Sequence, residues 1–158
     1  LSLIGSSVSQ VFFHKASQTY NDGGNLHDLL NKTILKLAII ATPIFVIIII
    51  FAPDIFVIFF GKAWREAGVY TQILSPWLFF NFIISPITSV YMIVGKQKQA
   101  LLFGITDLIV KLCSIIIGSY NQNIKLGLTI MSVSGILILS VGTLWTYKIT
   151  DIKHKQGL

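Results

Sequence analysis

Charge is scarce in this sequence, and so are the residues that carry out chemistry. Only 11% of its 158 residues are charged while 54% are apolar, whereas a soluble domain carries roughly a quarter charged. The carboxylates occur singly, with no two set up as a general acid and base. There is one cysteine, Cys113, inside an apolar run, which excludes a disulfide framework and a CxxC metal knuckle. His14, His27 and His154 are widely separated, and HExxH, GxSxG, GxGxxG and Walker-type glycine loops are all missing. The sequence therefore predicts no catalytic residue, no metal, no cofactor and no enzyme.

What the sequence does contain is long apolar runs. Residues 37–53, 67–95 and 126–147 carry no charge, and each is long enough to cross hydrocarbon as a helix. A fourth run, residues 99–124, is broken only by Asp107 and Lys111. The net charge of +6 does not point to nucleic acid, because the lysines sit where the apolar runs end instead of clustering on one face. The fold class expected is an all-α, polytopic transmembrane helical bundle in the lipid bilayer, with spans at residues 31–53, 69–94, 99–118 and 125–147.

Residues 1–13 are apolar and rich in small side chains, with neither a basic leader nor a cleavage site ahead of them. Residues 1–18 are therefore expected to be the end of a further span, and the chain to be the C-terminal portion of a longer one. The polar stretch that follows reads as a loop, with Asn25 or Asp28 able to cap a helix beginning near Leu29. Pro43 predicts a kink in the first span, and Pro53-Asp54 marks its end. Residues 54–67 read as an interfacial connector, with Lys62 and Trp64 as anchors and Arg65 able to meet an anionic headgroup. Two Ser-Pro steps, at Pro76 and Pro86, predict a doubly interrupted second span that can bend.

Counting basic residues sets the orientation. Lys15, Lys32, Lys36, Lys96, Lys98, Lys148, Lys153 and Lys155 fall on one side, against Lys62, Arg65 and Lys125 on the other. The positive-inside rule places the first group, and the C-terminus with it, in the cytoplasm. Tyr91, Trp145 and Tyr147 would then form an inner aromatic belt, and Tyr70 and Tyr120 an outer one.

Asp107 and Lys111 stand four apart, share a helix face and can neutralise each other within the membrane. They are candidates for a substrate path or ion relay, with helix packing as the alternative. Gly135 and Gly142, seven apart in the last span, read as a close helix contact.

The stretch PDIFVIFFGKAWREAGVYTQILSPWLFFNFIISPITSVYMIVGKQKQ, residues 53–99, resembles the C-terminal half of bacterial polysaccharide-biosynthesis membrane proteins. These are the Wzx-type flippases of the multidrug/oligosaccharidyl-lipid/polysaccharide exporter superfamily. Pro53, the phrase FFGKAW at residues 59–64, Ala67, Pro86 and Gly95-Lys96 carry the likeness. The resemblance implies a two-lobed exporter of which this chain is one portion. It also implies a polyprenyl-pyrophosphate-linked glycan as cargo, moved by alternating access across the bacterial cytoplasmic membrane, and the remainder of the transporter chain as partner. Asp107, Lys111 and Arg65 become substrate-path candidates, and Pro43, Pro76 and Pro86 hinge candidates. A multidrug or small-solute antiporter of the same superfamily, and a non-transporting membrane subunit, are the alternatives.

Overall fold

The computed structural model describes residues 2–22 and 24–156, with side chains for 10–22 and 24–150. Gly23 and the side chains of Lys153, His154 and Lys155 lie outside the described residues. Among the described residues the chain is all helix and turn. Six α-helices follow one another: α1 (Ser2–Asn21), α2 (Leu26–Phe60), α3 (Arg65–Ile84), α4 (Ile87–Ile93), α5 (Gln97–Tyr120) and α6 (Ile124–Gln156). A single 3-10 turn, Lys62–Trp64, joins α2 to α3.

Four segments are long and apolar enough to cross a bilayer: Leu26–Phe60, Lys62–Ile93, Gln97–Tyr120 and Ile124–Thr150. With α1 as a fifth helix, the protein is a multi-pass membrane bundle. Its outward surfaces agree with that environment. Ile39, Ile40, Ile47 and Ile50 on α2 and Leu101, Leu108 and Ile116 on α5 are all exposed, far more contiguous apolar surface than a water-facing protein tolerates.

Packing is centred on α3, which lies against α2 on one side and α6 on the other, while α6 also holds α5. The short α4 packs against α1. The buried cluster there joins Phe12 and Ala16 of α1 to Leu26 and Leu30 of α2 and to Ile87, Val90 and Tyr91 of α4.

The helix that carries the first span does not end at Pro53, where the sequence suggested a stop. α2 continues for another two turns, and residues 54–60 are helix where an interfacial connector was expected. Two features of α3 account for this. Proline has no N–H to give to the carbonyl four residues back, and that carbonyl, Ile49 O, accepts instead from Gln72 Nε2 at 2.6 Å, with Ile50 O at 3.2 Å from the same nitrogen. The approach this requires is made by Gly68, where a Cβ would stand 2.4 Å from Pro53 Cα. The helix stops at Gly61, whose φ of 92° is left-handed and whose N–H closes on Val57 O.

The second span is interrupted once. Pro76 sits inside continuous α3, whereas the chain turns at Ser85-Pro86 between α3 and α4. Ser85 Oγ donates to Phe82 O at 2.8 Å, occupying the carbonyl that Pro86 leaves without its helical donor. At the loop before α2, Asn25 is the cap: its side chain accepts from Asp28 N, and the helix begins at Leu26 instead of near Leu29. The α5–α6 hairpin closes on glycine, since a Cβ on Gly118 would come within 2.7 Å of Gly127 Cα.

Replacing Gly68 with valine forces a side chain into the α2 backbone, and a loss of about 1–3 kcal/mol is expected. Gln72→Leu, which keeps the volume but strands the Ile49 carbonyl, should cost about 1 kcal/mol. Thermal unfolding of the detergent-solubilised protein measures both; a Gly68→Val protein as stable as the parent would contradict the close crossing.

Candidate functional site

Three helices meet around Trp77. Its indole lies close against Gly135 of α6, where a Cβ would be 2.5 Å from Cδ1. From α5 the Lys111 ammonium sits 4.4 Å from the centroid of the same ring, a cation–π distance. Lys111 Nζ also donates to Asp107 Oδ2 at 2.5 Å, and both side chains are about three-quarters shielded within the bundle. The i,i+4 spacing read in the sequence thus produces the ion pair expected, and Trp77 supplies the cross-helix contact that the spacing alone did not reveal.

Asp107 has a second neighbourhood. It lines a cavity of about 230 Å³ between the α3–α4 break, α5 and α6, together with Thr88, Tyr91, Phe103, Gly104 and Thr143; Lys111 is not part of that lining. The walls are otherwise mainly aliphatic, from Ile84, Ile87, Ile138 and Leu139. Gly104 is unusual among the helical glycines, because a Cβ added there would meet nothing within 4 Å. Glycine in a helix interior costs roughly 0.5–1 kcal/mol relative to alanine, and here no close packing offsets it. Its effect is to leave that side of the cavity open.

One wall is fixed by hydrogen bonds. Tyr91 Oη donates to Gly142 O at 3.0 Å, and Thr146 Oγ1 lies 2.9 Å from that hydroxyl and 2.8 Å from the same carbonyl. The Tyr91 ring stacks on Trp145 at 5.7 Å and touches Phe103 at 6.4 Å. Tyr91 is buried in the core, and its hydroxyl finds a protein acceptor there. Gly142 admits this hydroxyl and Gly135 admits Trp77. The two glycines face aromatic rings of the second span; the close helix contact expected of the last span is made at Gly135 against Trp77, and Gly127 adds a backbone contact with Gly118.

The remaining candidates lie elsewhere. Arg65 opens α3, about 18 Å along the helix from Trp77, and pairs with Asp54 at 3.0 Å; both side chains are well exposed. Lys125 pairs with Glu66 at 3.3 Å, tying the start of α6 to the start of α3. Lys62 and Trp64 occupy the exposed 3-10 turn, with Trp64 5.6 Å from Phe60. Arg65 is thus not brought to Asp107 and Lys111. Pro43 lies within unbroken α2 and Pro76 within unbroken α3, while Pro86 stands at the break that borders the cavity. Residues 27–31 of α2 meet the far end of α6, where Tyr147 Oη donates to Asn31 Oδ1 and Thr150 Oγ1 is 2.8 Å from His27 Nε2. Among the described residues no group of histidine, cysteine or carboxylate side chains could hold a metal ion.

Residues 1–69 match the model of a family described as polysaccharide biosynthesis protein. Over that stretch the chain is similar to polysaccharide biosynthesis proteins. The match takes in residues 53–69 of the quoted stretch together with α1 and the part of α2 before Pro53. No curated protein and no solved structure gives a match.

Gly104→Ala is expected to stabilise the protein by about 0.5–1 kcal/mol, because it removes helix-interior glycine without a clash. A lower unfolding temperature for this variant would show that Gly104 is closely packed after all.

Proposed function

We propose that the protein takes part in moving a polyprenyl-pyrophosphate-linked oligosaccharide across the bacterial cytoplasmic membrane by alternating access, its partners being the bilayer, the glycan and the remainder of the transporter chain in a two-lobed exporter. The observation that carries this reading is the family match over residues 1–69 on a chain with four bilayer-length helices. A broken span supports it: the Ser85-Pro86 turn lets α3 and α4 change their mutual angle without breaking a regular helical hydrogen bond, with Pro86 the strongest of the three hinge candidates. A charge pair within a span is the second support, since ionisable side chains at membrane depth face a bundle interior or a path.

In this reading the lysine-rich ends of the helices, including the C-terminus, face the cytoplasm, and Lys62, Trp64 and Arg65 anchor the opposite surface. Asp107 and Lys111 form a polar point on the cargo path, where pyrophosphate competes with Asp107 for the Lys111 ammonium.

A deletion strain should lose surface polysaccharide and accumulate lipid-linked glycan on the cytoplasmic face. Unchanged glycan export with altered drug sensitivity would favour the antiporter reading instead. Cysteines introduced at Lys62 and Lys96 on a Cys113→Ser background should label from opposite sides of the membrane, and labelling from one side would overturn the topology.

The charge pair has its own test. Lys111→Met leaves a carboxylate unpaired at membrane depth and should lower abundance, whereas Asp107→Asn/Lys111→Met should restore abundance but not export. Full export by the double variant would rule out substrate contact by Lys111.

A further inference from the structure

We infer that Asn81 reads the sugar of the cargo, its side-chain amide holding hydroxyls of the residue that follows the pyrophosphate. The inference rests on the glycan-export reading and adds the place and the chemistry by which the glycan part is held. Depth comes first. Lys36 and Asp54 bound the uncharged stretch of α2, and their 18-residue separation is about 27 Å along a helix, close to the roughly 30 Å of a hydrocarbon core. Phe45 stands midway, nine residues from each, and its ring meets that of Phe79 on α3 edge-on at 5.5 Å. Asn81 follows Phe79 by two residues, about 3 Å along the axis, so its amide lies near the middle of the bilayer. There it is exposed and makes no side-chain hydrogen bond among the described residues. Gln72, the other amide of α3, donates to Ile49 and Ile50. Hydrocarbon offers an amide no partner, and leaving it unpaired there is costly. The face that carries Asn81 is therefore turned to something that forms hydrogen bonds.

Its neighbours say what that is. α2 and α6 cover other sides of α3. One turn before Asn81 stands Trp77, with the Lys111 ammonium 4.4 Å from its ring centroid, and the Lys111–Asp107 pair keeps about a quarter of its side-chain surface open. Beyond Asn81, Thr88 is exposed, and its hydroxyl donates to Ser85 O and can still accept. A polar strip without charge thus leads away from a lysine. A pyrophosphate on Lys111 brings the first sugar about one helical turn on, roughly 6 Å, which is the position of Asn81. A carboxamide supplies two donors and an acceptor, and adjacent hydroxyls of a sugar ring offer the acceptor and donor that match. A phosphate would leave the amide oxygen facing an anion. A further helix docked on this face would satisfy the amide but would close the cargo's way to Lys111.

The test is native mass spectrometry of the detergent-solubilised full chain, titrated with two probes: polyprenyl pyrophosphate alone and the same lipid carrying a single hexose. The parent should bind the hexose-bearing lipid about tenfold more tightly than the bare one. Asn81→Leu should bind both as the parent binds the bare lipid. Because the amide has no partner inside the protein, this variant should be as abundant as the parent, so the comparison does not hang on folding. Binding of neither lipid would overturn the export reading and this inference with it. Binding of both lipids by the parent without preference, or an undiminished preference in Asn81→Leu, would overturn the inference alone. A second measurement needs no cargo. On a Cys113→Ser background in nanodiscs, Asn81→Cys should react with a membrane-impermeant thiol reagent, while Ile47→Cys on the outward surface of α2 should not. An unreactive Asn81→Cys would show that lipid or another helix covers the face, and would overturn the inference.

Discussion

In hydrocarbon a carbonyl that loses its helical donor has no water to turn to, so each proline in a span creates a demand that another part of the protein must meet. At Pro53 the donor comes from a different helix. Gln72 reaches across to Ile49 and Ile50, and it can do so because Gly68 brings the two backbones together. That contact fixes α3 against α2, α3 in turn fixes α6 through Trp77 and Gly135, and α6 holds α5. At Pro86 the demand is met locally by Ser85, and the helix turns. The same residue type thus gives a crossing in one place and a break in the other, depending on where the donor comes from.

This explains how far the sequence could be read. Four spans, a preceding helix, the short connections and the Asp107–Lys111 pair were legible because they depend on local composition and on i,i+4 spacing. The continuation of α2 past Pro53 was not legible because the residue that makes it possible lies 19 positions away on another helix. Pro76 was read as an interruption by the same local rule, and α3 runs through it.

At the candidate site the sequence supplied the charges but not their surroundings. Nothing in the spacing of Asp107 and Lys111 says that one lines a cavity while the other lies over an indole. Trp77, Tyr91 and Gly104 were each visible as residue types, a tryptophan and a tyrosine in an apolar run and a lone helical glycine. Their roles arise only when α3, α4, α5 and α6 are assembled. That Gly104 has no close neighbour is likewise visible only in the folded chain.

The Asp107–Lys111 pair joins two residues of one helix, and this has a consequence for how the protein is made. A charge whose partner sits on another span must enter the bilayer alone or wait for that span to arrive. Here the partner is one turn away on the same helix, so α5 is electrically neutral at its centre as soon as it is helical. Its lateral release into lipid is uncoupled from the assembly of the bundle, and the charges are already matched when Trp77 comes to cover them.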